Sequence, residues 1–228
     1  MIIEQAYGAL TGQSANNNKM FVVVAGNIGS GKTTLTEKLA KRLSWNPHFE
    51  SVQDNPYLSD FYGDMSRWSF PLQVYFLTHR FNTHKTIETS SMSSIQDRSI
   101  YEDANIFARA LYEQGKLDRR DYENYRTLYN SMTSYLSAPT LMIFLKRSVP
   151  KLIERIKQRG RDYEQTIPVD YLSQLNVYYD DWYKSYNLGK SLIVDTDDLD
   201  FVDNDYHFDR LVQKIYESID QQNLFSYF

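Results

Sequence analysis

Two hydrophobic periods alternate along the chain. Continuous apolar runs of strand length lie at 20–25 and 141–145, and weaker segments of similar length at 48–52, 94–97 and 192–195. Runs that are apolar at every position predict strands covered on both faces. Between them the apolar spacing is helical. Leu35, Leu39 and Leu43 share a stripe in a helix from Thr34 to Leu43. Pro56 rules out a simple helix through that point, and a short helical piece follows over 58–63. Helices are predicted over 70–89 (Leu72, Tyr75, Phe76, His79 and Phe81), 101–114 (closed by Gly115) and 119–136 (Tyr122, Tyr125, Tyr129 and Met132). The Tyr122–Met132 stripe suits either core or a subunit interface. Three more helices are expected at 150–159, opened by Pro150, at 169–186 and at 206–221. Strands alternating with helices imply an α/β protein: a parallel sheet of five strands flanked by helices on both faces. Residues 1–18, with Gly8, Gly12, Ser14 and three consecutive asparagines, read as a flexible tail, and 19–228 as one domain.

Gly26-Asn27-Ile28-Gly29-Ser30-Gly31-Lys32-Thr33 sits between the first strand and the first helix and fits G-x-x-x-x-G-K-[ST]. Glycines let such a loop turn its N–H groups inward. With the helix N-terminus, which includes Thr34, they form an anion cradle for the phosphates of ATP. Lys32 is placed to reach the outer phosphates and the Thr33 hydroxyl to ligate Mg²⁺.

Composition narrows the class. The 228 residues carry a net charge of −4 and a pI near 5.6, which argues against a nucleic-acid-binding surface. No cysteine is present, so disulfides and thiolate metal sites are excluded. No apolar run reaches membrane-spanning length, and the N-terminus lacks the pattern of a secretory signal. A soluble, cytoplasmic protein with no membrane partner is the expectation.

Phosphoryl transfer also needs a metal carboxylate and cations over the moving group. The run 141–145 leads into Lys146-Arg147 with no acid. Asp97, at the end of its own strand, therefore takes the metal role, through water, and Arg98 would hold acceptor oxygen and phosphate together. Arg155 and Arg159 are one turn apart on a helix, and Gly160 allows a sharp bend that swings Arg161 inward. An arginine-rich lid beside a phosphate loop would neutralise charge on closure.

From residue 21 to about 186 the chain resembles the deoxyribonucleoside kinases, which include deoxycytidine, deoxyguanosine and bacterial deoxyadenosine kinases. Four motifs in the family's order carry the resemblance. They are the loop from Gly26 to Thr33, Glu50-Ser51-Val52, Asp97-Arg98-Ser99-Ile100-Tyr101-Glu102-Asp103, and the lid from Arg155 through Arg159-Gly160-Arg161 to Glu164. Asp54-Asn55-Pro56-Tyr57 looks most like the bacterial deoxyadenosine kinase branch. The resemblance implies a P-loop kinase fold, ATP as donor, Mg²⁺, and a homodimer working in nucleotide salvage. It also implies roles. Glu50 would take the proton from the nucleoside 5′-hydroxyl. Tyr62 and Glu164 would bind the 3′-hydroxyl, and Gln73 would read the base edge. Arg80 would pair with Asp103 near the base, Phe107 would stack on it, and Arg155 would lie against the adenine of ATP. Departures are Ser51 where a proline is frequent, Asp97 where many members have glutamate, and Asn55 and Leu72 where animal members place an aromatic.

These residues imply ATP-dependent 5′-phosphorylation of a deoxynucleoside, deoxyadenosine first, then deoxyguanosine and deoxycytidine. A nucleoside monophosphate kinase is a neighbouring reading, disfavoured because Glu50 would repel an acceptor phosphate. A regulatory ATPase or a relict loop on a structural module remain the readings from other classes.

Overall fold

The computed structural model describes residues 19–49, 55–161 and 164–220. Strand β1 (Phe21–Gly26) runs through the phosphate loop into helix α1 (Lys32–Leu43). Next come β2 (Asn46–His48), α2 (Leu58–Gly63), the long α3 (Met65–Thr89) and β3 (Ser94–Asp97). A helical stretch in three pieces follows: α4 (Ile100–Glu102), a π-helical turn (Asp103–Ala108) and α5 (Arg109–Glu113). The chain continues with α6 (Arg119–Thr133), β4 (Leu141–Lys146), α7 (Val149–Arg159), α8 (Val169–Ser185), β5 (Lys190–Asp195) and α9 (Asp205–Asp220).

The five strands form one parallel sheet in the order β2-β3-β1-β4-β5. Alternate residues of β1 feed two cores. Phe21, Val23 and Ala25 pack with α3, the π-turn, α6 and α8, and Val22 and Val24 pack with α1 and α9. That two-sided burial is why the run carries no polar residue. Tyr125 and Tyr129 of α6 are buried in the first core and Tyr122 and Met132 pack against it, so the stripe is core. Among the described residues no helix is long and apolar enough to cross a membrane.

Three departures from the sequence pattern lie near the site. Strand β2 ends at His48, and the predicted remainder past Phe49 lies outside the described residues. Among the described residues it is an edge strand, paired with β3 alone. Helix α3 starts five residues early, because Asp64 caps it by accepting from the Arg67 N–H at 3.1 Å; Pro71 then sits inside the helix. The helix expected over 101–114 is interrupted by the π-turn, one of the local distortions that gather at functional sites.

Candidate active site

The carboxyl ends of β1 and β3 open into a cavity of about 340 Å³. It lies beside the point where the chain order reverses, the usual ligand crevice of open parallel sheets. Among the described residues its lining carries five basic side chains (Lys32, Arg80, Arg98, Arg159 and Arg161) against three acids (Asp97, Asp103 and Glu164). A cationic pocket in a net acidic chain focuses its field on anions.

The phosphate loop forms one wall. Gly26 has φ +151°, and a side chain there would meet the Leu145 carbonyl oxygen at 2.7 Å, so only glycine fits. Gly31, at φ +98°, starts α1. Ile28, Gly29, Lys32 and Thr33 face the cavity, whereas Gly26, Asn27, Ser30, Gly31 and Thr34 are not in its lining. Lys32 is buried, and its Nζ donates to the Asn27 carbonyl at 2.8 Å. Asn27 ties the loop to α8: its Nδ2 donates to the Leu172 carbonyl at 2.9 Å and to Asn176 Oδ1 at 2.7 Å.

Thr33 and Asp97 meet at the mouth of the phosphate loop. The Thr33 hydroxyl donates to Asp97 Oδ2 at 2.6 Å, and Asp97 Oδ1 is buried without a partner among the described residues. A hydroxyl and a carboxylate with an open oxygen, both facing phosphate space, form an all-oxygen donor set that suits Mg²⁺ with several retained waters. Arg98 follows with φ +68°, a backbone well that residues bearing a Cβ rarely occupy. The bend leaves its guanidinium 4.5 Å from the Phe107 ring centroid and 3.3 Å from the Tyr179 hydroxyl.

The lid closes the outer side. Gly160 ends α7 at φ +67°, and Arg161 turns into the cavity. Glu164 is buried and accepts from both lid arginines, from Arg159 Nε at 2.9 Å and from an Arg161 Nη at 3.3 Å. Tyr62 lines the same cavity. Arg155 does not reach it. That residue is exposed on α7, near Arg147 and Asp200. Burial, then the neighbouring Arg155, push the Arg147 guanidinium below its ordinary value.

At the far end sit Gln73, Arg80, Asp103 and Phe107. Gln73 and Arg80 are two turns apart on α3, and Asp103 and Phe107 four residues apart in the π-turn. Arg80 forms a buried ion pair with Asp103 Oδ1. Asp103 Oδ2 and Gln73 Oε1 are buried acceptors without partners among the described residues. Leu72, Phe76, Phe61 and Leu58 supply an apolar wall, while Asn55 instead accepts from the Tyr57 N–H at 2.9 Å. Glu50 lies outside the described residues, with Ser51, Val52 and Asp54; its neighbour Phe49 lines the cavity.

Tyr171 and Glu102 carry no site signal in the sequence pattern. Tyr171 of α8 lines the cavity, and burial pushes its hydroxyl above the ordinary tyrosine range. Glu102, fully buried, contacts three separate segments around the site. Its only sequence signal was the pattern Ser99-x-x-Glu102, which marks a helix start.

The family model for deoxynucleoside kinase matches residues 22–220. A deoxyadenosine/deoxycytidine kinase of Bacillus subtilis is 38% identical over 196 residues, 85% of this chain and 90% of its own length. A deoxyguanosine kinase of Lactobacillus acidophilus is 37% identical over 209 residues, 86% of this chain and 91% of its own. The solved deoxyadenosine kinase of M. mycoides with products dCMP and a flexible dCDP is 31% identical, with a TM-score of 0.77 over 87% of this chain and 100% of its own. The same enzyme with bound dATP gives a TM-score of 0.77 over 86% and 99%. With a matching model that spans the sheet, the phosphate loop and the lid, this chain belongs to the deoxynucleoside kinase family.

Proposed function

We propose that this chain transfers the γ-phosphoryl group of ATP to the 5′-hydroxyl of a deoxyribonucleoside, with deoxyadenosine preferred. One observation carries the reading of the base. The cavity ends in two buried acceptors without partners among the described residues, Gln73 Oε1 and Asp103 Oδ2, beside the Arg80 donor. A buried orphan acceptor is costly, about 1–3 kcal/mol each, and a base amino group relieves it. Adenine, cytosine and guanine carry such a group and thymine does not. Relatives named for deoxyadenosine, deoxycytidine and deoxyguanosine fit that division. The adenine choice within it rests on the bacterial deoxyadenosine kinase pattern at Asp54 to Tyr57.

The mechanism follows from the placed charges. The base lies between Gln73 and the Arg80–Asp103 pair, under Phe107. Tyr62 and Glu164 take the sugar 3′-hydroxyl, and Glu50 orients the 5′-hydroxyl and receives its proton. The loop N–H groups and Lys32 hold the donor phosphates, with Thr33 and Asp97 as ligands of Mg²⁺. When bound, the metal supplies charge neutralisation at the transferred phosphate. Arg98, Arg159 and Arg161 gather on the transferred group, where fixed charges act most strongly with water excluded. The donor adenine packs outside the main cavity, against Arg155. The protein is a cytoplasmic homodimer.

A phosphoryl-transfer assay with Mg·ATP and the four deoxynucleosides, their ribonucleosides and their monophosphates tests this. We expect deoxyadenosine to be phosphorylated fastest and thymidine slowest, with kcat lowered at least about a hundredfold in Glu50→Ala. Turnover of monophosphates alone, or ATP hydrolysis with no acceptor, would overturn the reading.

A further inference from the structure

Among the described residues Glu102 is the most enclosed acid, at 0% exposure. Its two carboxylate oxygens serve different purposes. Oε2 accepts from the Ser99 N–H at 3.0 Å, which is the ordinary work of a glutamate at the third position of a helix. Oε1 has no part in that cap. It accepts from the Tyr179 hydroxyl at 2.7 Å and from the N–H of Gly26, first residue of the phosphate loop, at 3.3 Å. It also stands 3.8 Å from an Arg98 Nη. Tyr179 in turn lies within 3.3 Å of the Arg98 guanidinium. One oxygen thus joins the loop after β1, the bend after β3 and the helix after the lid.

Arg98 is the residue that gains from this. It stands at φ +68°, and a side-chain-bearing residue stays in that well only when its surroundings hold it there. Its own N–H is fixed to the Val24 carbonyl at 3.0 Å, but that bond does not aim the guanidinium. Among the described residues, Glu102, Tyr179 and the Phe107 ring are what the guanidinium meets.

We propose that Glu102 and Tyr179 form a positioning pair. Through one shared oxygen they hold the Arg98 guanidinium and the first N–H of the phosphate loop in register for phosphoryl transfer. Neither touches substrate, so their contribution appears in the rate of the chemical step more than in nucleoside binding. Burial and the adjacent Glu102 carboxylate push the Tyr179 hydroxyl well above the ordinary tyrosine range, so it remains a proton donor to Glu102 throughout the working pH.

The inference rests on the proposed 5′-kinase reading, and the test separates the two. Glu102→Gln is the informative variant, because glutamine serves a helix start as glutamate does. A role confined to the cap therefore predicts a normal melting temperature and normal turnover. The positioning role predicts a normal melting temperature, kcat lowered about tenfold to a hundredfold, and a deoxynucleoside KM within about threefold of wild type. Tyr179→Phe should show the same split. The double variant should be no slower than the slower single one, because both act through one path. ADP titration gives a readout without turnover: Glu102→Gln should weaken ADP binding at least about threefold, through the Gly26 N–H. If wild type binds ADP but phosphorylates no deoxynucleoside, the kinase reading fails, and the ADP arm still decides this inference. Unchanged ADP affinity in Glu102→Gln, or unchanged kcat where wild type is active, overturns it. So does multiplication of the two single losses in the double variant.

Discussion

At the scale of single residues, the cavity keeps polar atoms unfilled that a purely structural pocket would pair. Gln73 is 3% exposed, and its Oε1 has no partner. Leucine of similar size would remove that buried acceptor beside Leu72 and Phe76. Gln73→Leu should therefore raise the stability of the free protein by about 1 kcal/mol, roughly 2–4 °C in a chain of this length. The same change should lower kcat/KM for an amino-bearing deoxynucleoside about tenfold or more, since the base amino group then faces carbon. Thermal melting and steady-state kinetics on one preparation check both signs. A variant that is destabilised, or that keeps its kcat/KM, sinks the idea that Gln73 reads the base. The sequence pointed to Gln73, Arg80 and Asp103 only through family resemblance, since each also suits a solvated helix position. Lys32 and Thr33 were legible from spacing alone, because a phosphate cradle constrains neighbouring residues of one loop. Glu102 and Tyr179 are 77 residues apart, and nothing local to either names the other.

Among the elements, α3 shows how the fold sets conditions outside the site. His84 lies on it, packed against Phe21 of β1 at 4.8 Å between ring centroids and beside Tyr101. Its Nε2 is 2.9 Å from the Ser137 carbonyl, which can only accept, so the proton is on Nε2. Nδ1 is buried without a partner, so protonation there would place a charge in a dry site. Burial accordingly lowers the His84 pKa below 6.5, although the Ser137 bond and Glu88 oppose the shift. The folded state then binds fewer protons than the unfolded chain, so this stability is present above pH 6.5 and is lost as pH falls below it. Glu88 acts in a separate, lower window. Burial would raise its pKa, but the hydrogen bonds from Lys85 and Ser137 outweigh that and hold it below 4.5. We expect the melting temperature to decline from pH 6.5 towards 5, and the decline to be shallower in His84→Gln, whose amide can still donate to Ser137. Equal slopes in the two proteins would exclude His84 as the source. Element types were legible because strand and helix periods differ. The interruption at the π-turn was not, because Asp103 to Ala108 carry ordinary helix-compatible residues and their distortion answers to packing against α3 and α8.

At the scale of the whole molecule, the cavity is assembled from parts far apart in the chain: the loop after β1, α2, α3, the π-turn, the lid and α8. A ligand that touches all of them links both covers of the sheet. A deoxynucleoside triphosphate has a base for one end and phosphates for the other. Binding to the folded state alone at about 100 times Kd adds about 2.7 kcal/mol, which in a chain of this length raises the melting temperature by roughly 5–10 °C. For this protein dATP should produce such a shift as one sharp transition. At the same concentration dTTP should produce a smaller shift, because its base brings no amino group to Gln73 and Asp103. Lys32→Ala should reduce the dATP shift, since the phosphates lose their buried cation. Differential scanning fluorimetry on wild type and Lys32→Ala with the two nucleotides makes the comparison. Equal shifts with dATP and dTTP would refute the assignment of the base end. A dATP shift untouched by Lys32→Ala would remove the phosphate loop from the site, and with it the order in which base, sugar and phosphates lie along the cavity.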